Sequence, residues 1–116
     1  MVSHLVVLQP RPNLTLPERR DFLEAFQRAV NEIRAVRGVR IGRRVRHGAG
    51  YEQQMPDAAD FVAILDFDDV EGLRTYLAHP AHQRLGRLFG EVLSSALIYD
   101  FEIAAGVAEG LKEWSS

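Results

Sequence analysis

The densest chemistry in the chain lies in seven residues, Tyr76-Leu77-Ala78-His79-Pro80-Ala81-His82. A proline kink frees backbone groups and re-aims side chains, so the Tyr76 phenol and the His82 imidazole could share a pocket. Imidazole titrates near neutrality and takes a proton, while a phenol donates to a developing enolate oxygen. Such a pair suits proton abstraction beside a carbonyl, and His4, which opens an apolar run, is a third candidate. The bland alternative is that these histidines cap broken helix ends and satisfy freed carbonyls, the commoner fate of histidine on an apolar element.

Other chemistries find less support. The absence of cysteine excludes disulfides, thiolate nucleophiles and thiolate metal sites. His79 and His82 have the spacing of metal ligands, but no third His or acidic ligand is near in sequence and Pro80 spoils the helical geometry, so no metal is assigned. Ser94 and Ser95 fall in what reads as an apolar helix, with no nucleophile elbow. Gly48-Ala49-Gly50 is not followed by a helix, so no phosphate or dinucleotide loop exists and no cofactor is expected.

The elements that must hold these residues follow from periodicity. His4–Leu8 (HLVVL) reads as a strand buried on both faces, ended by Pro10 and Pro12. Thr15 and Glu18 form a capping box with Pro17 in the first turn, and Phe22, Phe26, Ala29, Val30, Ile33 and Val36 make a helical stripe as far as Gly38. Val39–Arg46 alternates as a strand, 47–59 is a loop, and Asp60–Phe67 is a second near-continuous apolar strand. Asp68 and Glu71 cap a helix through Leu73, Tyr76 and Leu77 that Pro80 must interrupt. A helix resumes near Ala81–His82 with the stripe Leu85, Leu88, Phe89, Val92 and Leu93, and Leu97–Ile103 is the last strand.

The order is β-α-β-β-α-β with a broken second helix, an α+β, ferredoxin-like arrangement over residues 1–103, with 104–116 peripheral. Two helices cover one face of such a sheet, yet HLVVL and FVAIL are apolar at odd and even positions alike. A twofold partner laying its own sheet against this one is the economical cover, so a homodimer is expected.

HLVVL, the helix containing AVNEI, YLAHPAH and the closing LIYDFE together resemble the stress-responsive A/B barrel (Dabb) domain, a family of dimeric α+β barrels, over about Val2–Glu102. The resemblance implies a pocket inside each protomer, lined by Val6, Leu8, Phe22, Leu23, Phe26, Ala63, Leu77, Leu85, Gly86 and Leu93, with Phe61 and His79 beside it. The family includes a cofactor-free polyketide cyclase, and by that likeness His82 would be the general base, Tyr76 would assist the carbonyl and His4 would orient. The ligand would be a small apolar carbonyl or phenolic compound. Phe61 stands where the cyclase has a further pocket histidine. Some members bind magnesium through backbone carbonyls near the end of the first helix, here around Val30–Val36, where Arg34 replaces an acidic neighbour and no site is assigned. Three readings follow: a dimeric ligand-binding or stress-associated protein, a cyclase or isomerase, and a cofactor-independent monooxygenase of the same superfamily.

Length and charge fit one small domain. The chain has 116 residues and a formal charge of −2, which disfavours a general affinity for nucleic acid or anionic membrane. With no long apolar run and no basic leader, a cytoplasmic protein is expected. The charge is split, residues 1–58 carrying ten basic and six acidic groups and the remainder four and ten. Six arginines fall in 34–46 without interleaved aromatics, which argues against nucleic acid. Strand pairing would instead set Arg40 near Asp66 and Arg46 near Asp60, and the family resemblance implies that these arginines also face the dimer partner.

Overall fold

A computed structural model of the chain describes residues 1–115. The elements are β1 (Val2–Pro10), α1 (Leu16–Glu32), β2 (Gly38–Arg43), a 3-10 turn (Gly50–Gln54), β3 (Phe61–Phe67), α2 (Val70–Ala78), α3 (Pro80–Val92) and β4 (Leu93–Glu102). Two short helical turns follow, α4 (Val107–Gly110) and α5 (Lys112–Ser115), both exposed. The strands form one antiparallel sheet in the order β2-β3-β1-β4, the ferredoxin-like topology.

Register sorts the side chains between the two faces. His4 lies opposite Leu65 and Asp100, Leu8 opposite Phe61 and Ala96, and Ile41 opposite Ala63. Because strand side chains alternate, Val2, His4, Val6 and Leu8 share the face that the helices cover with Ala63, Leu65 and Phe67. Ala25, Ala29, Leu73, Tyr76, Leu85 and Val92 meet them from the helices. The opposite face carries Leu5, Val7, Val62, Ile64, Leu97, Tyr99 and Phe101, and Tyr99 and Phe101 keep 56% and 48% of their surface exposed.

The Thr15–Glu18 capping box forms as its sequence predicts: Thr15 Oγ accepts from the Glu18 amide at 3.2 Å and the Glu18 carboxylate from the Thr15 amide at 3.0 Å. Several boundaries differ from expectation. Helix α1 stops at Glu32 rather than Gly38, because Ile33 turns extended and buries beside the helix end while Val36 packs on the core from the following turn. Their spacing reported burial, not helical backbone. Asp69, not Asp68, caps α2 by accepting from the Gly72 amide at 2.9 Å, while Asp68 pairs with Arg37. Leu93, Ser94 and Ser95 belong to β4 instead of a helix; Leu93 is buried on either reading, so its apolarity could not separate them.

The β2 arginines pair partly as expected. Arg40 reaches Asp66 at 3.6 Å across the open face. Arg46 meets Asp57 at 3.4 Å instead of Asp60, because β2 ends at Arg43, opposite Phe61, and residue 46 lies beyond the start of β3. Asp60 instead accepts from the Gln9 side chain at 3.0 Å.

Candidate functional site

The break at Pro80 builds the polar part of the site. Proline at the first position of α3 loses an amide that would have been unpaired there anyway. His79 caps the new helix, its Nδ1 accepting from the Ala81 amide at 3.0 Å. This is the capping role. The interruption also leaves the Leu77 carbonyl free, and His82 Nδ1 lies 3.1 Å from it. A carbonyl only accepts, so Nδ1 carries the proton and Nε2 keeps its basic lone pair.

Tyr76 is buried in the last turn of α2, its ring 4.6 Å from that of His82, 5.3 Å from Phe67 and 5.8 Å from His4. Burial alone pushes its phenol up to about 12, so the group remains a proton donor throughout the neutral range. His82 is held below its usual imidazole value, first by desolvation and then by the nearby His4, against the opposing Leu77 hydrogen bond. It is therefore neutral at physiological pH. His4, buried on β1, donates from Nδ1 to Asp100 on β4 at 2.6 Å. Tyr76, His82 and His4 thus come together, with Asp100 as a fourth polar member.

Sequence reasoning passed over Asp100. The signal was available in the antiparallel pairing of the first and last strands, which sets Asp100 directly opposite His4.

A second feature lies farther along the same face. A cavity of about 500 Å³ opens between α1 and the sheet. Of the expected lining residues, Leu8, Phe22, Leu23, Phe26, Phe61, Ala63 and Leu93 border it. Val6 and Leu85 are instead packed in the core, Leu77 and Gly86 lie largely at the surface, and His79 caps α3. Leu14, Val30, Val39, Ile41 and Val92 also line it, and Arg19 and Gln27 are its polar members. Tyr76, His82 and His4 do not border this cavity. Among the described residues, no group of three or more His, Asp or Glu side chains is arranged to hold a metal ion, and no helix is long and apolar enough to cross a membrane.

Residues 2–103 match the stress-responsive A/B barrel domain. The chain belongs to this Dabb family. The olivetolic acid cyclase of Cannabis sativa is 26% identical to it over 100 residues, which span 86% of this chain and 94% of the cyclase. Among solved structures, the hydroxynitrile lyase of Passiflora edulis superposes with a TM-score of 0.73 at 11% identity, over 91% of this chain and 95% of the lyase. A dimeric ferredoxin-like protein of unknown function from Jannaschia sp. CCS1 gives a TM-score of 0.70 at 20% identity, over 88% of this chain and 98% of its own. At these identities the structural likenesses establish the Dabb chain's fold, while its relatives differ in what they do.

Proposed function

We propose that this Dabb protein is a homodimer, joined through its open sheet face, that binds a small apolar molecule between α1 and the sheet. The cavity carries the reading: about 500 Å³ bordered mainly by apolar side chains falls in the range of small-molecule sites. The open face supports the dimer, since Leu97, Tyr99 and Phe101 are exposed side by side with Val7 and Leu5 on one surface. A neutral solvatochromic dye titrated into the protein should bind once per protomer. Ala63→Leu, which adds bulk at the cavity wall, should weaken it; a dye that stays in water with the wild-type protein would sink the reading. Light scattering at micromolar concentration should give twice the chain mass, and a monomer there would remove the dimer.

A second reading rests on the Tyr76–His82 pair and on the resemblance to a cyclase. A carbonyl compound at the helix break would lose a C–H proton to His82 Nε2, the electron pair passing into an enolate whose oxygen accepts from the Tyr76 phenol. His82 would then return the proton to the product, so no cofactor is consumed. Turnover of a β-keto substrate that vanishes in His82→Ala, with the fold retained, is the expected result. The binding reading stands first because the cavity and the pair occupy different stretches of the covered face.

A further inference from the structure

The cavity has a chemical direction. Its walls are apolar apart from Arg19 and Gln27, so one guanidinium stands in an otherwise oily lining. A second guanidinium adjoins this lining through Phe61. Arg43 follows Ile41 on the covered face of β2 and sits directly opposite Phe61, which itself pairs with Leu8. Phe61 borders both the cavity and an adjoining groove formed by Arg43, Arg44, Arg46 and Asp60. The oily space and the arginine groove therefore share one wall residue, Phe61.

The charges of this groove are unequally matched. Arg44 and Arg46 share Asp57, at 3.9 and 3.4 Å, and Asp60 is engaged by Gln9. Arg44 Nη1 is nevertheless buried without a hydrogen-bond acceptor. Neither Arg19 nor Arg43 takes part in any ion pair among the described residues. Two exposed cations, Arg19 on the lining of the apolar chamber and Arg43 beside its wall residue Phe61, are complementary to a molecule with an apolar body and one anionic end.

Building on the ligand-binding reading, we propose that the cavity takes an amphipathic carboxylic acid, its apolar part between α1 and the sheet and its carboxylate toward Arg19 and Arg43. The carboxylate stays near water, where an ion pair contributes modestly, so the arginines select the ligand's orientation and class more than they set its total affinity.

Decanoate and decanol, titrated separately into the full chain at pH 8 by displacement of the neutral dye, test this directly. The acid should bind about fivefold tighter than the alcohol at low salt. That preference should shrink as salt rises. In the double variant R19A/R43A the ratio of acid to alcohol affinity should fall to about one, while R84A, on α3 away from the cavity lining, should keep the preference. Equal binding of acid and alcohol by the wild type would overturn the carboxylate proposal and leave the cavity reading intact. An acid preference that survives R19A/R43A would overturn the placement of the head group. If neither probe displaces the dye, or no dye binds at all, the cavity reading falls and this proposal with it.

Discussion

One strand supports two unlike environments four residues apart. At His4, β1 joins a polar cluster in which Tyr76, His82 and Asp100 converge from α2, α3 and β4. At Leu8, the same face of β1 borders a cavity whose lining is apolar almost throughout. In the first region two imidazole nitrogens have directed partners: Nδ1 of His82 on the Leu77 carbonyl, Nδ1 of His4 on Asp100. The second is open, and its apolar walls hold no proton in place. Burial with hydrogen bonding fixes proton positions, whereas burial of hydrocarbon fixes only shape. A molecule entering the cavity would meet a shape with a charged rim, while a molecule reaching the helix break would meet a base and a donor already set in their protonation states.

Truncation should expose the difference in packing most strongly. Phe67 is fully buried and packs against Tyr76, so Phe67→Ala should cost about 3–5 kcal/mol in denaturant unfolding. Phe26 already borders empty space and is only partly buried, so Phe26→Ala should cost roughly half as much or less. Equal losses would mean that the two regions are packed alike and that the cavity is filled in solution.

Titration sharpens the contrast next. The Tyr76 phenol is raised from 10.0 to about 12, so the folded state holds its proton where the unfolded chain releases it. That contribution is complete below pH 10 and is lost as pH climbs from 10 toward 12, for a total of about 3 kcal/mol. Tyr76→Phe should lack this alkaline limb; if the variant and wild type lose stability in parallel, the phenol is not desolvated. His82 gives the opposite limb. Its folded value is depressed, so its contribution is present above the unfolded value of 6.5 and is lost as pH falls below it. This acid limb should be shallower, since His82 is only half-buried, and His82→Gln should flatten it. The cavity, lined by one arginine and no histidine or carboxylate, should add nothing to either limb.

Much of this architecture could be read in the residues. The capping box, the proline break and the period-two strands have short-range causes, and they fixed the element order without reference to distant parts of the chain. The pairing of Tyr76 with His82 was legible for the same reason, since both flank one break. What escaped depended on register. Asp100 meets His4 only because β4 pairs with β1 at a particular alignment, and Arg46 misses Asp60 because β2 ends at Arg43. The cavity was half legible: its α1 and β1 walls came from the expected stripes, whereas Val39 and Ile41 join it through the β2–β3 pairing. Val6 and Leu85 share the periodicity of the lining residues yet are packed solid, because periodicity names a face and not the position along it.

The smallest effect tests whether the polar region needs its charge or only its hydrogen bonds. Asn at position 100 keeps an oxygen that can accept from His4 Nδ1 but removes the carboxylate's negative charge. The Asp100 side chain is 42% exposed, so solvent screens that charge and Asp100→Asn should cost roughly 0.2–1 kcal/mol at neutral pH. The imidazole nitrogen signals of His4 should continue to report a proton on Nδ1, because the acceptor remains. Asp100→Leu removes the acceptor and should cost more, since His4 is buried and its N–H would be left unpaired. If Asn and Leu are equally destabilising, charge dominates and the polar region is held by an ion pair; if both are silent, His4 is positioned by its packing on Tyr76 alone, and the two ends of β1 are more alike than their chemistry suggests.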